Sequence, residues 1–327
     1  MNNGFTDTFG RRIDYLRLSV TDQCDLRCFY CMPQGFDQYQ EPENWLTFDE
    51  IERVVAAFAR LDIGRIRLTG GEPLLRRDLA RLASRLHALP GIDDLSLSTN
   101  AVRLAKQATA LRQAGVSRLN ISLDTLRPER FKAICGGKLE KVLAGIEAAR
   151  NAGFGPIKLN MVVMRGINDD EIEAMVDYCA ERDLTLRFIE TMPMGETGRA
   201  ASDRYVDLGE VRARLEQRYT LLPGVMPGAG PARYVQLAGS ETRIGFITPM
   251  SQHFCESCNR LRLGVDGAVY PCLGDEGKVE LRPLLRGGAN DQQLTDALLT
   301  ALRNKPERHD FHSDQHQVVR FMSMTGG

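Results

Sequence analysis

The sequence predicts an α/β fold, an incomplete (β/α)6 barrel of TIM type with a smaller C-terminal α+β extension. Three observations carry this expectation. Between residue 12 and about residue 190, six short apolar runs alternate with segments of helical pattern, the order expected of parallel βαβ units. Six units fall short of the eight of a closed barrel, so an incomplete one is expected, with a doubly wound sheet as the alternative. At Pro223-Gly224-Val225-Met226-Pro227-Gly228-Ala229-Gly230-Pro231 the periodicity breaks and short strands follow, which divides the chain into residues 1–222 and 223–327.

Taken in order, strands are expected at Ile13–Val20, Arg65–Thr69, Leu95–Thr99, Arg118–Asp124, Ile157–Met164 and Thr185–Glu190. Thr47-x-x-Glu50 is a capping box that opens a helix running to Leu61. Gly115 and Gly153 stand where C′ glycines end two helices. Asn168-Asp169-Asp170-Glu171 places a cap and acidic residues at the start of another. Leu208–Tyr219 and Asp291–Arg303 read as helices, and Asp266-Gly267 marks a hairpin between Arg260–Val265 and Ala268–Leu273.

A chain of 327 residues can bury a core without help from disulfides or metal. With 42 Lys and Arg against 43 Asp and Glu, the net charge is −1, which excludes a globally basic nucleic-acid coat. No apolar run approaches the ~18 residues of a membrane helix. The N-terminal residues have neither the basic nor the apolar region of a signal peptide, so a cytoplasmic protein without membrane contact is expected.

The eight cysteines say more. Cys135 and Cys179 stand alone on helical stretches and read as packing residues. The other six form two groups of three, which in a reducing compartment favours metal ligation or redox chemistry. Cys24-x3-Cys28-x2-Cys31 directly follows the first strand. Three thiolates there can hold three irons of a 4Fe–4S cluster and leave the fourth open to a ligand. A zinc site or a redox pair is the alternative, but no His or further Cys lies within 20 residues to complete zinc's shell. After the second strand comes Thr69-Gly70-Gly71-Glu72-Pro73. Its glycines could expose N–H groups to a carboxylate or phosphate, and Glu72 could pair with an ammonium.

The second group, Cys255-x2-Cys258-x13-Cys272, fits either a zinc ribbon completed by His253 or another cluster with an open iron. Arg260 and Arg262 alternate on the strand that follows, so both face one side and can clamp phosphate. A barrel would gather further polar residues from its strand ends: Arg17, Arg67, Ser98, Ser122, Asp124, Lys158, Asn160, Arg187, Glu190 and Met192. Singly each cation reads as a structural ion pair; together they suit an anionic substrate such as a triphosphate.

Cys24-x3-Cys28-Phe29-Tyr30-Cys31 with Gly70-Gly71-Glu72-Pro73 resembles the radical S-adenosylmethionine (SAM) superfamily over about residues 12–195. The likeness to one family runs nearly end to end, that of the GTP 3′,8-cyclases of molybdenum cofactor biosynthesis. It includes Leu16-Arg17-Leu18-Ser19-Val20-Thr21-Asp22, Arg187-Phe188-Ile189-Glu190-Thr191-Met192-Pro193, Cys258-Asn259-Arg260-Leu261-Arg262 and the closing Gly326-Gly327. The resemblance implies two 4Fe–4S clusters, one on Cys24, Cys28 and Cys31, the other on Cys255, Cys258 and Cys272 with its open iron toward guanine. It implies SAM contacts at Tyr30, Gly71, Ser122 and Met192, and GTP contacts at Arg17, Arg67, Ser98, Lys158, Arg260, Leu261 and Arg262. The residue reading adds Glu72 to the first set and Arg187 to the second.

Catalysis is expected of Cys24, Cys28, Cys31 and Arg17, with Gly326 and Gly327 on a tail that reaches the active site. The implied reaction is a lyase step: a 5′-deoxyadenosyl radical takes the ribose C3′ hydrogen of GTP, and C3′ attacks guanine C8. The product is (8S)-3′,8-cyclo-7,8-dihydroguanosine 5′-triphosphate. The implied partners are a reductant protein and the next enzyme, cyclic pyranopterin monophosphate synthase; a homodimer is allowed. Two other readings stand beside this one: a radical SAM peptide maturase with an auxiliary cluster, and a zinc-binding protein that interacts with nucleic acid. The chain departs from the family pattern at Ser98, where Thr is usual, at Ala101, where Gly is usual, and at Thr325 before the final glycines. Ala101 would be strained if its loop needs a positive φ.

Overall fold

The computed structural model describes residues 5–33, 35–226, 230–309, 311 and 318–326. Six strands come first: β1 (Tyr15–Ser19), β2 (Arg65–Thr69), β3 (Asp94–Thr99), β4 (Arg118–Ser122), β5 (Ile157–Val162) and β6 (Thr185–Ile189). The helices between them are α1 (Phe48–Arg60), α2 (Leu79–His87), α3 (Ala108–Gln113), α4 (Pro128–Cys135), α5 (Leu139–Asn151) and α6 (Ile172–Ala180). Each strand pairs in parallel with the next, in sequence order. That order, without a reversal in its middle, is a barrel's and not a doubly wound sheet's.

After α7 (Gly195–Ser202) and α8 (Leu208–Arg218) come β7 (Leu221–Gly224), β8 (Arg233–Leu237), β9 (Arg243–Ile247), β10 (Arg260–Leu263), β11 (Ala268–Tyr270), β12 (Val279–Glu280), α9 (Arg282–Arg286) and α10 (Asp291–Arg303). These strands extend the first sheet at both edges: β9 pairs in parallel with β6, and β10 in parallel with β1. The result is a 12-stranded sheet in the order β12-β11-β10-β1-β2-β3-β4-β5-β6-β9-β8-β7, open between its two ends. Ile244, Leu261 and Leu298 join the same hydrophobic core as Leu16 and Ile66. The expected hairpin forms at β10 and β11. The expected break at Pro223 instead lies within edge strand β7, where a missing N–H is tolerated. Pro227, Gly228 and Ala229 lie outside the described residues.

Local signals explain the helix ends. Thr47 and Glu50 form the capping box, Oγ1 accepting from the Glu50 N–H at 3.2 Å and the carboxylate from the Thr47 N–H at 2.7 Å. Gly115 and Gly153 take left-handed φ of +94° and +74° just past α3 and α5. Asn168 departs from its expected capping role. It is fully buried, accepts from the Met164 N–H at 2.8 Å and donates to the carbonyls of Asp124 (2.8 Å) and Val162 (2.9 Å). It pins the loop after β5, and α6 starts from Glu171 without a side-chain cap. Among the described residues no helix is long and apolar enough to cross a membrane.

Strand alternation sets the barrel's interior. Leu16 and Leu18 are fully buried in the core, while Tyr15 and Arg17 line a cavity. Ile66 and Leu68 face the core as Arg67 faces the cavity, and Leu261 and Leu263 likewise leave the cavity to Arg260 and Arg262.

Candidate active site

Cys24, Cys28 and Cys31 occupy the loop after β1, at the end of the barrel where a TIM-type fold places its chemistry. The two glycines after β2 hold that loop. A Cβ at Gly70 (φ +148°) would lie 2.2 Å from the Thr21 carbonyl oxygen, and one at Gly71 2.3 Å from that of Gln23. The Gly71 N–H donates to Thr21 at 2.9 Å and the Glu72 N–H to Gln23 at 2.7 Å. These amides are therefore not offered to a ligand, as the sequence suggested; they fasten the cysteine loop to β2. Glu72 is also held from within the protein. Its buried carboxylate accepts from Thr99 Oγ1 (2.7 Å), the Asn100 N–H (2.7 Å) and the Leu74 N–H (3.0 Å), which ties β2 to β3. Burial raises its carboxyl to about 7 even so.

Asn100 reaches back to the cysteine loop, its Nδ2 2.9 Å from Asp25 Oδ1 and 3.9 Å from Cys24 Sγ. The next residue, Ala101, is fully buried at φ +62°, so the loop does require the conformation that glycine adopts freely. On the facing side the Tyr30 hydroxyl donates to Asp124 Oδ2 at 2.7 Å, and Asp124 Oδ1 accepts from the Val162 N–H at 2.9 Å. Burial pushes the Asp124 carboxyl up to about 6, the Cys31 thiol to about 11 and the Cys24 thiol to about 12. Cys135, expected as a packing residue, is buried in the core, its Sγ donating to the Phe131 carbonyl at 3.1 Å, and also lines the cavity.

The second triad comes from the other end of the chain to the same place. Cys255, Cys258 and Cys272 line one cavity of about 310 Å³ together with Cys24, Cys28 and Cys31. All six are free thiols. Among the described residues no three of His, Cys, Asp and Glu converge closely enough to ligate a single metal ion. Three thiolates suit a polynuclear cluster, which takes each on a separate iron. His253 does not line the cavity; it is exposed and pairs with Glu256 at 3.3 Å. Burial would raise the Cys258 thiol, but Arg260 and Lys305 outweigh it and bring it down to about 7. Lys305 had no sequence signal, since it sits in a polar run that reads as solvated.

Between the triads the sheet register sets three guanidiniums abreast: Arg67 on β2 pairs with Arg17 on β1, which pairs with Arg262 on β10. Arg260 lies with its guanidinium 5.4 Å from the Phe254 ring. Among the described residues, Arg67 Nε and Arg260 Nε are buried without a hydrogen-bond partner, donors that an anion would satisfy. Ser98, Ser122 and Met192 line the cavity as expected. Leu261 does not, because alternation sends its side chain to the core. Lys158 opens instead on an adjoining recess of about 40 Å³ that shares Tyr15, Arg67 and Arg187 with the main cavity. Arg187 is held there by Asn160 Oδ1 (2.8 Å) and Asn120 Oδ1 (2.5 Å). Burial lowers Arg187 to about 10, and burial with Arg187, Arg118 and Arg67 nearby lowers Lys158 to about 7.

The C-terminal segment enters the cavity at Met322 and Ser323. Arg262 Nη1 donates to the carbonyls of Gly326 (2.8 Å) and Thr325 (3.2 Å). At Gly326, φ is +65° and a Cβ would lie 2.2 Å from Thr69 Cγ2, so only glycine fits there. Gly327 lies outside the described residues.

Residues 18–179 match the family model of the radical SAM superfamily, and residues 184–311 that of Molybdenum Cofactor Synthesis C. Among solved structures, Streptococcus suis SuiB bound to S-adenosylmethionine aligns with a TM-score of 0.59 at 16% identity, over 88% of this chain and 68% of that one; this likeness is one of fold. GTP 3′,8-cyclase 1 of Pseudomonas aeruginosa is 50% identical over 325 residues, 98% of each chain. The GTP 3′,8-cyclase of Ectopseudomonas mendocina is 49% identical over 329 residues, 99% of each chain. Identity at that level along the whole length, and not in one half alone, makes the chain a member of the GTP 3′,8-cyclase family.

Proposed function

We propose that the cavity takes SAM on the side of Cys24, Cys28 and Cys31, and GTP between the arginine row and the side of Cys255, Cys258 and Cys272. Family membership gives the reaction, conversion of GTP to (8S)-3′,8-cyclo-7,8-dihydroguanosine 5′-triphosphate, the first step of molybdenum cofactor biosynthesis. It also gives the cofactors, SAM and two 4Fe–4S clusters. With the first cluster, SAM supplies a 5′-deoxyadenosyl radical that takes a hydrogen atom from the ribose. The single observation that carries the site assignment is that both triads open on one cavity crossed by three guanidiniums abreast.

In this reading the chain's own work is positioning. Arg17, Arg67 and Arg260 bind the triphosphate by charge-assisted hydrogen bonds, with Lys158 and Arg187 at its far end in the adjoining recess. Asn120 and Asn160 keep the Arg187 fork aimed. Tyr30, Gly71, Ser122 and Met192 border SAM, and Ser98 faces the nucleotide. The tail, docked on Arg262 through the Thr325 and Gly326 carbonyls, closes the cavity and keeps water from the radical. Residues 1–222 thus carry the SAM half of the site, and residues 223–327 carry the second cluster and the tail. A reductant protein supplies electrons, and a cyclic pyranopterin monophosphate synthase consumes the product in the cytoplasm.

The test is anaerobic turnover of the reconstituted protein with SAM and a chemical reductant, with GTP or ATP as substrate. A cyclised nucleotide formed with GTP and absent with ATP is the expected result. SAM cleavage that leaves GTP unchanged would overturn the substrate assignment.

A further inference from the structure

Lys305 lies two residues past α10 and is only 2% exposed. Its ammonium donates to the carbonyls of Pro271 (2.7 Å) and Arg260 (3.0 Å), and the third contact is Cys258 Sγ at 3.5 Å. These contacts use the three N–H donors of an ammonium. None of them is a carboxylate, yet a buried cation is costly unless an anion neutralises it. The sulfur of Cys258 is the one partner able to carry that negative charge. The two carbonyls belong to the segments that bear Cys258 and Cys272, so the same ammonium also ties two ligand-bearing strands together.

The neighbouring cation differs in this respect. Arg11, likewise buried, grips the same turn from its other side, donating to the carbonyls of Pro306 (2.6 Å), Glu307 (2.6 Å) and Cys255 (3.0 Å). Its charge is already met by Asp7 at 2.5 Å. Arg11 therefore packs the segment without adding net charge, whereas Lys305 adds net charge at a ligand.

We infer that Lys305 is a positioning residue for the second cluster, joining its ligand segments and raising its reduction potential through the charge beside Cys258. The inference rests on the reading of Cys255, Cys258 and Cys272 as cluster ligands. The net charge around a cluster and the hydrogen bonds to its sulfurs set its potential. A buried positive charge favours the reduced, more negative state.

The experiment uses the full chain with Cys24→Ala, Cys28→Ala and Cys31→Ala, so that the second cluster is titrated alone. Its potential is followed by electron paramagnetic resonance under anaerobic conditions. Lys305→Met is expected to shift the reduction equilibrium at least tenfold toward the oxidised state, about 59 mV for one electron. Lys305→Arg, which keeps the charge, should restore most of that shift, and Arg11→Met combined with Asp7→Asn, which removes the buried pair without changing net charge, should leave the potential in place. Loss of iron in Lys305→Met but not in Lys305→Arg supports the inference equally. An unchanged potential in iron-loaded Lys305→Met overturns it, as does an equal shift in the paired Asp7→Asn and Arg11→Met variant or loss of iron in both Lys305 variants. Persistence of the remaining iron after Cys272→Ala would instead overturn the ligand assignment on which the inference rests.

Discussion

Arg17 and Arg262 are direct cross-strand partners on the parallel pair β1 and β10, buried side by side from opposite ends of the chain. Burial, and then the charges of Arg262 and Arg67, hold the Arg17 guanidinium well below its ordinary range. Like charges opposed across strands destabilise a sheet. A polyanion bound along this row would convert that repulsion into attraction and so tie the protein's stability to its substrate.

Ligand-linked stability is the first consequence. GTP at a hundred times its Kd should stabilise the protein by about 2.7 kcal/mol. Arg67→Met removes a buried donor worth about 1.5–3 kcal/mol to an anion, and so should weaken GTP binding by roughly tenfold to a hundredfold. Thermal unfolding with GTP and with guanosine checks this. At the same GTP concentration the variant should keep only about 0.4–1.4 kcal/mol of the GTP shift and all of whatever guanosine gives; equal loss of both would remove the phosphate role.

On the proposed placement of GTP, Lys158 should make its binding depend on pH. Its folded pKa of about 7 lies below its ordinary 10.5, so between these values the free protein holds it largely neutral. Triphosphate beside it favours the charged form, and binding at pH 8 should take up a proton. Affinity should then fall as pH rises above about 7. Titration calorimetry in two buffers of different ionisation enthalpy measures the uptake directly, and Lys158→Met should abolish it. In the free protein the sign is opposite: the unfolded chain binds this proton more readily, so this group's contribution makes stability rise from pH 7 toward 10.

Gly326 has no room for a side chain and a φ that disfavours one. Gly326→Ala should therefore undock the tail from Arg262 and cut turnover more than tenfold, with iron content and thermal midpoint unchanged. Turnover near the parent value would show that the docked tail is dispensable.

Ala101 tests tolerance of strain. Its left-handed backbone costs about 1–2 kcal/mol, which Gly would relieve. Gly would also add about 0.5–1 kcal/mol of unfolded-state entropy and forgo about 0.8 kcal/mol of methyl burial. These contributions nearly cancel, so Ala101→Gly should change stability by less than about 1 kcal/mol in denaturant unfolding. Ala101→Val adds β-branched strain and overpacking and should cost about 2–4 kcal/mol.

What could be read in the sequence was what local chemistry determines. β2 and α10 match their expected bounds residue for residue, and the Thr47 capping box and the glycines after α3 and α5 stand where expected, because such signals act within a few residues of where they stand. The cysteine spacing pointed to its own chemistry for the same reason. Which edge of the sheet β9 and β10 would join was not legible, since pairing between strands far apart in the chain is settled by packing of the whole. The partners of the Glu72 carboxylate were not legible either, since Thr99 and Asn100 come from another strand end. Lys305 was invisible because only the tertiary structure buries it against Cys258.

The account's central claim is that the cavity holds the ribose of GTP beside the radical source. Turnover with GTP deuterated at C3′, read by the mass of the 5′-deoxyadenosine formed, tests it most directly. The account predicts one deuterium in 5′-deoxyadenosine and none left at C3′ of the cyclised nucleotide. Unlabelled 5′-deoxyadenosine, with the deuterium retained in the nucleotide, would contradict it.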